Sequence, residues 1–188
     1  MSKPIVILCE DVAQQNFLRR LVMRRGFTNR DIDPVALPAG KGAGDRHVLA
    51  DYPRQAASVR AESGFRRRCL VVAIDADENP VNYRYKQLED KLNQAEELRD
   101  DHRRRREEGE LIAIFVPKWH IETWIDYLLD GGPVSEDKPS QRHRKATTKH
   151  CTDAADRFLE LAAPATSPTN CPPSLQRGLA ELPRIPEK

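Results

Sequence analysis

Glu10 and the pair Asp75/Asp77 each close a short apolar run, Ile5-Val6-Ile7-Leu8-Cys9 and Leu70-Val71-Val72-Ala73-Ile74. Apolar runs of this length read as strands. Residues two apart in an extended chain project to the same side, so Asp75 and Asp77 address one point if strand geometry persists past Ile74. Open parallel sheets place functional groups just beyond the carboxyl ends of their strands. Three carboxylates gathered on that edge repel one another unless a cation sits between them. Hard oxygen donors in that number suit Mg²⁺ or Mn²⁺, with waters completing the shell.

The elements that must position these acids alternate strand, helix, strand, helix through four strands. Alternation of this kind implies an α/β fold with an open, mainly parallel sheet of about four strands and helices on both faces. The first helix is predicted over Asp11 to Arg25, with Phe17, Leu18, Leu21 and Val22 as its apolar stripe and Gly26 as its stop. Residues Ile32 to Leu37 read as a second strand, which Pro34 weakens or confines to an edge. A glycine-rich loop, Pro38 to Gly44, follows, then a short helix over Pro53 to Ser63. After the Leu70–Ile74 strand, a long polar helix is predicted over Val81 to Glu108, with Leu88, Leu92, Ala95 and Leu98 as a narrow seam. Leu111 to Val116 reads as the fourth strand. Ile121, Trp124, Ile125, Leu128 and Leu129 then mark an amphipathic helix closed by Gly131-Gly132.

These elements fill residues 1–132. Residues 133–188 read as an extension of the same unit: a polar loop to about 150, a helix over Thr152 to Ala163, a proline-rich linker and a last short helix carrying Leu175, Leu179 and Leu182.

A chain of 188 residues can bury a full core, although 32% of it is charged. The net charge of +2 says little about partners. Local basic clusters say more: Arg66–Arg68, Arg103–Arg106 and Arg142–Lys145. The cysteines (Cys9, Cys69, Cys151 and Cys171) have neither CxxC pairing nor zinc-ligand spacing and read as reduced thiols. No leader and no run approaching the ~20 apolar residues of a spanning helix is visible, so a soluble, cytoplasmic protein is expected.

A glutamate after the first strand, followed much later by Asp-x-Asp after another, resembles the TOPRIM fold of topoisomerases, bacterial primases and small nucleases. The matching residues are Glu10 and Asp75-Ala76-Asp77. Pro117-Lys118-Trp119-His120-Ile121-Glu122-Thr123-Trp124 looks like the Pro…Glu-x-Trp segment of a small TOPRIM-like branch often encoded beside ATPases in bacterial defence loci. Gly40-Lys41-Gly42 has a counterpart there too. The likeness covers about residues 4–130. In the family the glutamate is usually followed by glycine; here Asp11 follows, as a cap of the first helix or as a fourth acid at the site.

The resemblance implies Mg²⁺-dependent phosphodiester hydrolysis on DNA or RNA, in a phage-defence setting. Asp75 and Asp77 would be metal ligands, Glu10 a ligand or general base, and Glu122 a further ligand. The alternative is a TOPRIM-like subunit that does not cut and serves as an interaction module for an ATPase, with or without self-association. Lys41, Arg66 and Arg67 are candidates for holding phosphate.

Ordinary readings compete with each of these. Aspartates at strand ends often cap helices, and Glu122 suits the positive end of its own helix. The glycine loop also reads as a plain turn, and the arginine runs as solvated surface. His120 reads as structural or incidental, and the tryptophans as core.

Overall fold

In a computed structural model, residues 3–40, 42–62, 67–95, 105–132, 134–139, 142, 145–163 and 170–188 are described. The four strands are β1 (Ile5–Leu8), β2 (Ile32–Pro34), β3 (Cys69–Ala73) and β4 (Ile112–Phe115). They form one open sheet in the order β2-β1-β3-β4, and every pairing is parallel. The α/β class and the open parallel sheet expected from the alternation are therefore present. The register sets Leu8 beside Val72, so the chain leaves the two central strands β1 and β3 at the same edge.

Parallel strands buried on both sides need apolar residues at every position. Ile5, Ile7, Val71, Ala73, Ala113 and Phe115 face one layer, and Val6, Leu8, Leu70, Val72, Ile112 and Ile114 the other. The first layer is covered by α1 (Val12–Arg24), α4 (Ile121–Asp130) and α5 (Thr148–Leu161), with α6 (Pro173–Glu181) contributing Leu175. The second is covered by α2 (Gly44–Glu62) and α3 (Val81–Gln94).

Trp124 of α4 is fully buried at the centre of the first layer. Its ring stacks on Phe158 of α5 at 6.0 Å and meets Phe17 and Phe115 edge-on at 6.3 Å. Such geometries add to the area each ring buries. The C-terminal helices thus supply part of the core. Arg20 of α1 also donates two hydrogen bonds to Asp156 of α5, at 2.9 and 2.7 Å.

Several boundaries differ from the sequence expectation. The helix expected over 53–63 begins at Gly44, with Pro53 inside it. Val48, Leu49, Tyr52, Ala56 and Val59 carry one buried stripe across the proline, and that packing outweighs the missing N–H. The helix expected to reach Glu108 stops at Gln94, and Ala95 is extended. Residues 96–104, including Leu98 and the first arginines of the Arg103–Arg106 run, lie outside the described residues. Arg106 is not on a solvated helix: it is paired with Glu181 and donates to Ile112 O at 3.0 Å. The fifth helix starts at Thr148, because Thr147 caps it by accepting the His150 N–H.

The Arg106 and Glu181 contacts also lie along the outer side of β4. Glu181 accepts the outward N–H of Ile114 at 3.0 Å, Tyr85 donates to Ile114 O at 2.9 Å, and Ser174 accepts the N–H of Lys118 at 3.2 Å. An edge strand with satisfied polar groups offers no template for pairing with another chain. The opposite edge, β2, is three residues long and ends in Pro34. Among the described residues no helix is long and apolar enough to cross a membrane, and all four cysteines are buried free thiols.

Gly178 lets α6 approach this layer: a Cβ there would lie 2.5 Å from the Trp124 ring. Gly→Ala in an open helix gains roughly 1 kcal/mol. Gly178→Ala is expected instead to lose about 1–3 kcal/mol through overpacking. Denaturant unfolding measures the sign directly, and a stabilised variant would contradict this packing.

Candidate active site

Glu10 lies in the bend between β1 and α1. Its Oε1 accepts the backbone N–H of Asp75 at 2.7 Å, joining the ends of β1 and β3 across one hydrogen bond. Asp11 is the cap of α1, accepting the Gln14 N–H at 2.8 Å, so the first of its two readings holds. Capping turns the first helical turn inward and brings Gln14, fully buried, between the acids. Gln14 Oε1 accepts the Glu10 N–H at 2.9 Å, and its Nε2 donates to Asp75 Oδ1 at 2.8 Å. Gly44 closes the other side: a Cβ there would stand 2.7 Å from Glu10 Cβ and 3.0 Å from Oε2. Only a residue without a side chain lets α2 begin against Glu10.

Asp77 reaches the site by a different route from the one its spacing suggests. Strand geometry ends before it, and Asp77 has φ 51°. Opposite it, Trp119 has φ 65°, and the two form an isolated antiparallel bridge. A bulky residue in the left-handed region costs on the order of 1–3 kcal/mol and persists only where its surroundings hold it. Here Ala76 N–H donates to Pro117 O at 2.9 Å and Asp77 N–H to Trp119 O at 3.3 Å. Lys118 Nζ donates to Asp77 O at 2.5 Å and Asn79 O at 2.9 Å, and lies 4.2 Å from the Trp119 ring centre. The strained turn delivers His120, whose Nδ1 is 3.5 Å from Asp75 Oδ2 and 3.6 Å from Asp77 Oδ1.

Arg84 of α3 completes the cluster. It is 4% exposed, donates from Nε to Asp75 O at 2.9 Å, and reaches Asp77 Oδ2 at 3.2 Å and Asp45 Oδ2 at 3.3 Å. Glu122, in the first turn of α4, is half-buried on the Asp11 and His120 side. Its carboxyl is raised by burial and then by the Asp11 charge, against the pull of nearby backbone N–H groups and His120. Among the described residues no hydrogen bond or ion pair joins it to Glu10, Asp75 or Asp77.

Burial governs the protonation of Glu10 and Asp75. Glu10 is pushed up to about 8 by desolvation and then by the Asp75 charge, against the Asp75 N–H. Asp75 rises to about 7, again chiefly by burial, with Asp11 adding and His120 and Gln14 opposing. His120 rises to about 9, first through its contact with Asp75. The acids are thus short of positive compensation, although His120 and Arg84 supply some. Among the described residues no group of three or more His, Cys, Asp or Glu side chains is drawn together tightly enough to hold a metal ion. Several acid oxygens are instead occupied by protein donors.

Of the sequence candidates, Glu10, Asp75 and Asp77 converge, and Glu122 stands beside them. Lys41 and Arg66 lie outside the described residues. Arg67 precedes β3, roughly 26 Å of extended chain before Asp75 at ~3.3 Å per residue. It lines a cleft with Arg60 and Glu110 at the opposite end of the sheet, so it cannot hold a phosphate at these acids. Sequence reasoning missed Gln14 and Arg84 and set His120 aside. Their signals were faint: a glutamine four residues after Glu10, and an arginine just before the buried Tyr85 and Leu88. No protein-family profile, curated protein or solved structure matches the chain.

A group that binds its proton more tightly when folded stabilises the fold below its unfolded pKa and loses that contribution as pH rises through the folded one. For Glu10 the window runs from its ordinary 4.5 to about 8. For His120 it runs from 6.5 to about 9. In EDTA the melting temperature should therefore fall between pH 5 and pH 9, and Glu10→Gln should flatten the fall. Thermal melts across that range check this; a flat or rising wild-type profile would refute it.

Proposed function

We propose that this chain is a divalent-metal-dependent phosphodiesterase acting on nucleic acid, DNA or RNA. One observation carries the reading: the carboxylate of Glu10 meets the Asp75 backbone at the carboxyl edge of the two central strands, with Asp77 reached through His120. An open parallel sheet presents reactive groups at this edge. The donor set suits Mg²⁺ or Mn²⁺, because it is all oxygen and its buried charges lack full compensation. Glu10, Asp75 and Asp77 are not drawn together tightly enough to hold an ion as they stand; in this reading they would close on it when it binds, with Glu122 adding charge from the α4 side. When bound, such an ion stabilises charge on phosphoryl oxygen and lowers the pKa of an attacking water.

The chain's own residues have distinct tasks in this reading. Gln14 and the Arg84 contact to the Asp75 carbonyl fix the orientation of Asp75. Arg84 offsets the charge of Asp77 and Asp45. Lys118 keeps the Asp77 turn in its strained form. His120, with half its side chain exposed between Asp75 and Asp77, is placed to meet an oxygen of the substrate. A role in phage defence beside an ATPase rests on the sequence resemblance alone. A cytoplasmic location accompanies it, supported by four free, buried thiols.

A second reading is favoured by the same contacts. His120 and Arg84 already sit against Asp75 and Asp77, as in a subunit that keeps the acids as structure and serves an ATPase-containing complex.

The test is cleavage of end-labelled DNA and RNA with Mg²⁺ or Mn²⁺. Cleavage should stop in EDTA and drop at least ~100-fold in Asp75→Asn, since removing mere supporting partners of a metal site already costs 10–100-fold. Cleavage unchanged in Asp75→Asn would overturn the assignment, and an inert wild type would favour the second reading.

A further inference from the structure

A cleft of about 600 Å³ opens beside the Asp77 turn, a size typical of small-molecule sites. Lys118 joins the two places. It lines the cleft while its Nζ donates to Asp77 O and Asn79 O, so a ligand seated there lies one side chain from the acids.

The lining is mixed. Pro80, Val81 and Pro173 give it apolar surface. Asn82 and Arg177, hydrogen-bonded to each other, give it amide and guanidinium groups. The Arg177 guanidinium carbon lies over the Tyr85 ring, 3.5 Å from its centre, which holds it in place. Glu136 lines the same cleft as an acceptor, its Oε1 taking the N–H and O–H of Ser174. An acid at this position disfavours a phosphate. It suits a neutral, planar ligand with apolar faces and both donors and acceptors on its rim.

A nucleobase has that chemistry. Tyr83 follows Asn82 in the first turn of α3, outside the lining of the cleft, and is 46% exposed, one of two large hydrophobic side chains left open to solvent among the described residues. The other, Val12, opens α1 directly after Asp11 and is 59% exposed. Both lie in first helical turns at the edge that carries the acids. Aromatic surface beside basic groups is how proteins stack unpaired bases.

We propose that this cleft is a nucleobase-binding subsite, which makes unpaired nucleic acid the substrate class of the adjacent acids. The substrate role rests on the phosphodiesterase reading; the base-binding role does not. Bases in a duplex are stacked and paired and cannot enter a cleft without being extruded.

The experiment is fluorescence anisotropy in EDTA, so that neither a metal nor cleavage enters the result. A labelled single-stranded octanucleotide is compared with the same strand in a duplex. The wild type should prefer the single strand by at least ~10-fold, as expected for stacking of one or more bases. Asn82→Ala and Arg177→Ala should each weaken single-strand binding several-fold, whereas Arg157→Ala on the exposed face of α5 should not. Asn82 is exposed, so its truncation tests the cleft even if Arg177→Ala unfolds. Equal binding of both forms, or Asn82→Ala and folded Arg177→Ala binding like wild type, would overturn the subsite. Those results with Asp75-dependent cleavage intact would leave the hydrolase reading standing. Single-strand binding that depends on Arg177 in a protein that never cleaves would keep the subsite and discard the hydrolase.

Discussion

The hydrogen bond from the Asp75 N–H to Glu10 is the constraint around which the site is organised. It requires β1 and β3 to be neighbours in register, and it brings a half-buried carboxyl against the backbone of a buried one. Burying charge without full compensation is costly and is relieved by proton uptake, by protein cations or by a bound ion. This molecule shows the first two in the raised proton affinities of Glu10 and Asp75 and in the contacts of His120 and Arg84.

The rest of the fold serves that contact at some distance. Gly44 removes the side chain that would collide with Glu10, and the cap at Asp11 sets the turn that inserts Gln14. On the β4 side, the segment after Phe115 is held by Ser174 and by the Lys118 clamp on the Asp77 turn. Glu181 and Tyr85 satisfy the strand just before it. The stack of Phe17, Phe115, Trp124 and Phe158 anchors α4 beneath His120 and Glu122. The C-terminal helices therefore act on the acids through packing, without touching them.

The strands and the convergence of Glu10, Asp75 and Asp77 were legible because apolar runs and strand-end acids are local signals. Helix α2 was obscured by Pro53, a local cue that a long buried stripe overrides. The period-2 spacing brings Asp77 to Asp75 along a continued strand, whereas a left-handed turn locked to Trp119 is what carries it there. Gln14, Arg84 and His120 come from three different helices or turns. Nothing in a single sequence ties them to the acids before the sheet order is known.

The most direct measurement is calorimetric titration of Mn²⁺ and Mg²⁺ into the wild type and into Asp75→Asn, with folding of the variant verified by its thermal transition. The account predicts saturable binding to the wild type that the folded variant loses. Binding absent from the wild type, or retained undiminished in Asp75→Asn, would contradict a metal site at Glu10, Asp75 and Asp77.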